Sequence, residues 1–212
     1  MTIYHDEQRR LQDQFDSRRL ADRLESTIVH DVITPDDAGF IASRDFFFLA
    51  TVDAQGQPAC SFKGGPSGFV GIVDDKTIAF PSYDGNGMFL SMGNLLANPQ
   101  VGLLFIDFEK PNRLRLNGRA SIVDNDPLLA DYAEAQFVVR VAVTQLFPNC
   151  PRYIPRFSRV EAAPHVPVAG RETPFASWKQ IDFLRDSLPV GDLSKVAEMS
   201  VITIEDFIAS IK

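Results

Sequence analysis

The stretch from Phe46 to Ile122 leaves this chain few folds to choose from. Phe46–Val52 is apolar and aromatic and ends at Asp53-Ala54-Gln55-Gly56-Gln57, whose composition predicts a hairpin turn. Pro58–Lys63 runs to a Gly64-Gly65-Pro66 stop, and Gly68–Val73 turns over at Asp74-Asp75 into Lys76–Phe80. Beyond a polar, glycine-broken segment (Pro81 to Pro99) come Val101–Ile106 and Leu114–Ile122, and Phe137–Val143 is read as the sixth strand, the turned-over stretch Gly68–Phe80 counting as one. Short strands joined by tight turns, with few helices between them, predict an antiparallel sheet curled into a barrel. The expected class is mainly β with peripheral helices (α+β), built on a six-stranded antiparallel barrel.

Two of these runs differ in pattern. Val101–Ile106 is apolar throughout, as expected of a strand covered on both faces. Leu114–Ile122 alternates instead, with Leu114, Leu116, Gly118, Ala120 and Ile122 on one side and Arg113, Arg115, Asn117, Arg119 and Ser121 on the other. Three arginines on one strand face repel one another unless an anion or carboxylates lie over them. Either that face is solvated with Asp and Glu neighbours, or it meets an anion.

The flanks are helical. From Asp6 to Leu24 the apolar residues Leu11, Phe15, Leu20 and Leu24 predict one long amphipathic helix with a narrow stripe. Thr34-Pro35 opens a short helix through Ala42. Phe89, Met92, Leu95 and Leu96 share helical spacing, and Asn98-Pro99 stops that element. Arg156–Arg171 carries Pro164 and Pro167 with little periodicity and reads as a loop. Phe175–Leu188 and Ile204–Ile211 read as final helices, the second opened by Thr203 with Asp206 in a capping-box arrangement. The expected organisation is a helical leader over residues 1–44, the barrel over 45–155, and a loop with helices over 156–212 that packs on the barrel or on a partner subunit.

The formal net charge of −7 leaves no basic surplus to neutralise phosphates, which argues against a nucleic-acid or anionic-membrane partner. No apolar run approaches the roughly 20 residues needed to cross a bilayer. The start, His5-Asp6-Glu7-Gln8-Arg9-Arg10, is of mixed charge and lacks a secretory apolar region. With only Cys60 and Cys150, far apart, a reduced cytoplasmic protein is expected. None of the three histidines is spaced with cysteine or carboxylate as a metal site requires. There is no Gly-x-Ser-x-Gly elbow, no His–Cys arrangement and no Gly-x-Gly-x-x-Gly after a strand, so acyl transfer and the Rossmann route to a dinucleotide lack their usual parts.

What the residues leave open is an anion pocket. Lys63 ends a strand at Gly64-Gly65, and Asp84-Gly85-Asn86-Gly87 leads toward a helix whose N–H groups and dipole suit a phosphate. The arginine face lies nearby if the barrel closes. Lys63 reads equally as an ordinary solvated strand-end lysine, and Asp-Gly-Asn-Gly as a common turn.

Several stretches in order resemble the pyridoxamine 5′-phosphate oxidase-like proteins, flavin-binding split β-barrels. These are Phe47-Phe48-Leu49-Ala50-Thr51-Val52-Asp53 with Gly56 and Pro58, Lys63-Gly64-Gly65, Gly85-Asn86-Gly87, Asn98-Pro99 with Val101–Phe105, and Leu114–Ala120. The resemblance covers about Asp45 to Ile154, and the leader resembles that of one bacterial branch of the family. It implies a homodimer holding FMN at the subunit interface. It also implies that the strand Ser61-Phe62-Lys63 runs beside the flavin, with Lys63 on its phosphate, and that Ser82 and Tyr83 line the ring. By the same resemblance Ser91 and Asn94 fall among the phosphate-binding positions, Arg113 falls where the oxidases carry a ring-contacting glutamine, and Arg115 matches an arginine. The chain departs from the pattern at Asn86 and Gly87, where the oxidases carry arginine and lysine. It also lacks the Arg-Leu-x-Pro motif that closes over pyridoxal phosphate. The resemblance therefore implies an FMN-dependent oxidoreductase of unspecified small-molecule substrate that is not a true pyridoxamine phosphate oxidase; the alternative is a non-catalytic flavin, deazaflavin or haem binding or storage protein.

Overall fold

Asp53 makes the first turn of the sheet. Its Oδ1 accepts from the N–H groups of Gln55 and Gln57, both at 2.8 Å, and Gly56 follows at φ 86°. The chain therefore reverses, and β1 (Phe46–Val52) pairs with β2 (Pro58–Gly64) from Phe46↔Gly64 to Val52↔Pro58. Next come β3 (Gly71–Asp74), β4 (Thr77–Ser82), β5 (Gln100–Asp107), β6 (Asn112–Ile122) and β7 (Phe137–Asn149). All pairs are antiparallel, in the order β2-β1-β5-β6-β7-β4-β3. The sheet has seven strands where six were expected, because the hairpin that turns at Asp75-Lys76 contributes two of them.

The sheet is curled. In its order β1 and β4 stand four places apart, about 19 Å in a flat sheet at the usual strand spacing. Yet the ring centroids of Phe47 on β1 and Phe80 on β4 are 5.0 Å apart. Bringing those rings together closes the strands around one apolar interior and leaves β2 and β3 as the two edges of a split barrel. The interior is filled by alternate residues: Phe47 and Leu49, Ile78 and Phe80, Leu103 and Phe105, Leu114 and Leu116, Val139 and Val141 are all buried. β5 is covered on one side only, since Leu104 and Ile106 on its other face are half-buried.

The structure is a computed structural model that describes residues 2–211 and falls into two units, one ending at Val160 and one beginning at Glu161. In the first unit the leader is two helices, α1 (Asp6–Gln14) and α2 (Arg18–Ile28), rather than one. The break comes at Asp16, which takes φ 48°, and the fold-back is held by Arg18 on Asp13 and by Arg9 on Asp22 at 2.6 Å. All four apolar residues of the predicted stripe, Leu11, Phe15, Leu20 and Leu24, are exposed. Then α3 (Pro35–Ala42) forms as predicted, with a reciprocal cap between Thr34 and Asp37, and leads into β1. α4 (Leu90–Ala97) lies against β1, β2 and β6 and buries Ser91, Met92 and Leu95; Phe89 and Leu96, expected on its apolar side, are exposed.

In the second unit Ser177–Gln180 and Asp182–Ser187 are 3-10 turns rather than one helix. Ile181 between them is extended and bridges in parallel to Ile202. α5 (Val190–Ala197), which no sequence signal announced, has its carboxyl end tied by the Arg185 guanidinium to the carbonyls of Val196 and Met199. α6 (Ile204–Ser210) carries the predicted Thr203–Asp206 capping box.

One close approach holds β6 to β7. Gly118 sits at the bulge in their register, and a Cβ there would lie 2.5 Å from both the Ala142 carbonyl oxygen and Val141 Cγ1. Neither atom belongs to a flexible side-chain end, so the strands must part. Gly118→Ala is expected to lower stability by about 1–3 kcal/mol, the usual cost of overpacking. Urea denaturation checks this, and an unchanged midpoint would show that the strands give way freely.

Candidate functional site

A cleft of about 250 Å³ opens beside the β2 edge, where the carboxyl end of β4 and the start of α4 approach it. The register Leu49↔Ser61 and Phe47↔Lys63 puts Ser61 and Lys63 on the inward face of β2. Ser82 and Tyr83 come from the end of β4, where the Ser82 carbonyl accepts the Gln136 N–H at 2.8 Å, and Gln136 completes that wall. Gly85-Asn86-Gly87 forms the rim. Gly87 takes φ 76°, and Asn86 Oδ1 accepts the Met88 N–H at 3.0 Å, turning the chain toward α4.

Lys63 is the cleft's one cation. Its Nζ donates to Ser91 Oγ at 3.4 Å, and Ser91 Oγ donates to Ser61 Oγ at 2.9 Å. No carboxylate pairs with Lys63 among the described residues, and burial pulls its pKa below the ordinary lysine value. Burial likewise pushes the Tyr83 phenol up, followed in size by the charges of Tyr132 and Glu134. The start of α4 faces the same space. Phe89, in the left-handed region at φ 49°, offers no side-chain cap. The first N–H within the turn that finds a backbone carbonyl is that of Gly93, to Phe89 at 2.7 Å. The cleft therefore combines an unpaired ammonium, two serine hydroxyls and the positive end of a helix dipole, an arrangement suited to one small anion.

Of the residues singled out by sequence, Ser61, Lys63, Ser82, Tyr83, Asn86 and Ser91 come together in this cleft. The other four lie elsewhere. Phe62 alternates to the outer face of β2, is 61% exposed, and stacks on Phe46 at 5.4 Å. Asn94, one turn along α4, donates to Thr51 Oγ1 at 3.0 Å and ties the helix to β1. Arg113 and Arg115 are on the outer face of β6, three strand positions from β2, about 14 Å at normal spacing. Gln136, Phe89, Leu90 and Met92 line the cleft without having been expected to. Gln136 stands far from the rest in sequence, and nothing in its surroundings marks it.

The arginine strand matches its solvated reading in exposure, with Arg115 and Arg119 exposed and Arg113 half-buried, but not in its neighbours. Arg113, Arg115 and Arg119 stand opposite Ile106, Leu104 and Gln100 on β5, and opposite Asn149, Phe147 and Ala142 on β7. No carboxylate is among these neighbours. Arg113 Nε and Asn149 Oδ1, on paired residues, are both buried and lack a hydrogen-bond partner. Buried polar atoms of this kind are rare in folded chains.

No group of His, Cys, Asp and Glu that would hold a metal occurs among the described residues, and none of their helices is long and apolar enough to cross a membrane. No curated protein matches the chain. Among solved structures it is similar to a putative pyridoxamine 5′-phosphate oxidase from Lactobacillus delbrueckii (20% identity over 56% of this chain and 95% of that one, TM-score 0.46). It is also similar to HutZ, the heme storage protein of Vibrio cholerae (22%, 54% and 93%, TM-score 0.39). A third likeness is to an FMN-binding protein from Syntrophomonas wolfei (11%, 66% and 97%, TM-score 0.41). The pyridoxamine 5′-phosphate oxidase family profile matches residues 33–165, a span that takes in every strand of the split barrel and the whole cleft. The chain belongs to the pyridoxamine 5′-phosphate oxidase family.

Proposed function

We propose that this protein binds FMN, with the phosphate in the cleft beside Lys63, and serves as a flavin-dependent oxidoreductase that works as a homodimer. The observation that carries the reading is the unpaired, half-buried Lys63 ammonium facing the uncapped start of α4. A buried cation without a counter-ion is costly, and a phosphate removes that cost. Family membership supports flavin as the group that carries the phosphate.

The positions of the residues support the homodimer. At about 250 Å³ the cleft is below the usual range of about 300–1,000 Å³ for ligand pockets, so it suits the phosphate end while the ring extends past its mouth. Arg113 and Arg115 cannot reach that ring within their own chain, being on the opposite face of the sheet and three strands away. A second copy brings its arginine face to the ring and supplies partners for its orphaned Arg113 Nε and Asn149 Oδ1. The exposed Phe62 and the half-buried Phe48 and Leu104 lie on the same outer face and are covered by that contact. Once bound, flavin supplies the electron transfer. The arginines provide fixed positive charge at the ring edge, and Ser82, Tyr83 and Gln136 shield one side from water.

The first test is an absorbance spectrum of the freshly purified protein, repeated after incubation with FMN and gel filtration. Flavin absorbance co-eluting at dimer size is expected; a flat spectrum in both cases overturns the reading. Lys63→Ala is expected to weaken FMN binding by about 1.5–3 kcal/mol, the range for a hydrogen bond to a charged group. Equilibrium titration measures it, and unchanged affinity would remove Lys63 from the phosphate. The alternative is storage or sensing of flavin, deazaflavin or haem without turnover, and the absence of the family's basic pair at Asn86 and Gly87 favours it. Turnover with NADH or NADPH as donor excludes it.

A further inference from the structure

Two apolar surfaces of this chain are exposed, and each lacks the cover that its composition calls for. The first is the leader. Its helices, of 9 and 11 residues, bury none of their side chains. Leu11 and Phe15 are four residues apart, as are Leu20 and Leu24, and all four are exposed, Phe15 at 71%. Helices this short are marginal in water by themselves. Polar ties fix the hairpin: the Tyr4 hydroxyl donates to the Ala21 carbonyl at 3.2 Å, the Ile3 N–H donates to Glu25 Oε1 at 2.6 Å, and Arg9 reaches Asp22. None of these ties uses the apolar pairs. The second surface is the outer side of α4. No residue from Gly85 to Ile106 carries a charge. While α4 buries Met92 and Leu95, it exposes Leu90 and Leu96 (the latter at 75%), next to the exposed Met88 and Phe89. An uncharged helix with large apolar residues on both sides belongs in an interior.

We propose that the α1–α2 hairpin of each copy lies across α4 of a second copy and closes the mouth of that copy's cleft. The proposal rests on the homodimer and flavin position inferred above, and it adds residues of the partner's leader to the site. The anchorage of the leader selects the second copy as occupant. The His30 N–H donates to the Leu146 carbonyl at 3.1 Å, and the Leu146 N–H donates to the His30 carbonyl at 2.7 Å. These bonds tie the end of the leader to β7, and the next residue along, Phe147, stands opposite Arg115 on β6. The leader therefore departs beside the arginine face, the surface that meets the partner's flavin ring in the proposed dimer. That brings the hairpin to the partner's cleft, whose lining includes Phe89 and Leu90. At 1.5 Å per residue α2 is about 16 Å long and α4 about 12 Å, so one helix can cover the other along its length. Two-fold symmetry makes the contact twice, and it strands no charge on the α4 side. Leucine and phenylalanine then form its centre, with the leader's charged residues at its rim, the usual anatomy of a stable interface.

The test is cross-linking of the full chain with Cys60 and Cys150 both replaced by Ser. With Leu20→Cys and Leu96→Cys on the same chain, a short bis-maleimide is expected to give a species of twice the chain mass, and neither substitution alone is expected to do so. A link within one chain, a link by Leu20→Cys alone, or no link overturns the proposal. Should those variants fail to fold, Phe15→Ser with Leu20→Ser decides, since both side chains are exposed in the single chain and their loss leaves its own packing intact. This pair is expected to raise the dimer dissociation constant by about 10-fold or more, the effect of losing anchors at the centre of an interface, with the melting temperature of the dilute monomer unchanged. Sedimentation over a dilution series measures it. In samples loaded with FMN, iodide is expected to quench flavin fluorescence more strongly in this variant than in the native chain. A dimer that dissociates no more readily overturns the leader contact and leaves the arginine-face dimer standing. A native chain that is monomeric overturns both. A colourless chain that still cross-links between copies supports the leader contact and removes only the flavin.

Discussion

Phe47→Ala is expected to cost about 3–5 kcal/mol of stability, the usual range for removing a buried phenyl ring. Phe47 is fully buried and touches rings from three other parts of the chain: Phe69 at 5.8 Å, Phe80 at 5.0 Å and Phe105 at 5.3 Å. Phe80 and Phe105 belong to β4 and β5, so the ring is a cross-tie that holds the sheet curled. Phe80 and Phe105 sit on paired strands and cannot collapse into the vacated space, which places the cost well above simple transfer. Phe62→Ala sets the comparison, since it removes the same ring from the outer face of the neighbouring strand. Its ring meets those of Phe46 and Phe48, pairs worth about 0.5–1.5 kcal/mol each, so its cost is expected to stay under about 3 kcal/mol at concentrations where the chain is monomeric. Urea denaturation of both variants at one such concentration measures the difference. Equal losses would mean that Phe47 does not tie the barrel together.

The run that holds Phe47 shows why the barrel was legible. Apolar runs bounded by turn residues are local, so the strands themselves were legible, but Val101–Ile106 is apolar throughout and only the fold shows that Leu103 and Phe105 face inward while Leu104 and Ile106 do not. Helix breaks are less local in cause. Nothing in the spacing of Leu11, Phe15 and Leu20 reveals that Asp16 adopts the left-handed conformation, which owes its place to ion pairs across the fold-back. Site residues divide along the same line. Ser61 and Lys63 are two apart on one strand, so either both face the cleft or neither does, and Phe62 between them must face away. The family resemblance aligned all three with the flavin as one stretch, without regard to the pleat. Arg113 and Arg115 were assigned in the same way, and only the strand order reveals that a single chain keeps them from Lys63. The lack of carboxylates opposite those arginines depends on register, which an isolated strand does not carry.

Arg140→Met is expected to cost about 3 kcal/mol near neutral pH and much less in acid. Asp126 is 4% exposed, and Arg140 grips both its oxygens, Nε to Oδ2 at 2.5 Å and Nη2 to Oδ1 at 2.9 Å. This joins the segment after β6 to the middle of β7. The guanidinium holds the Asp126 pKa below the ordinary carboxylate value, ahead of burial, which acts the other way. A carboxyl whose folded pKa is depressed contributes stability that is present above its unfolded value, near 4, and is lost as pH falls through the folded one. The native chain should therefore lose stability in acid in part through this residue. In the variant, Asp126 keeps its burial and the Leu128 N–H at 3.0 Å but has no cation. Removing one partner of a buried pair strands the other, at about 3–5 kcal/mol; the lower end applies because the Arg140 side chain is 27% exposed. With the guanidinium gone, the largest influence that lowers the Asp126 pKa is lost, and the folded pKa moves up toward the unfolded one. Protonation then costs the variant less stability than it costs the native chain, and the two stability curves approach each other below about pH 4. Thermal melting from neutral to acid pH reads this directly. Parallel curves across that range would show that the pair contributes packing and not charge.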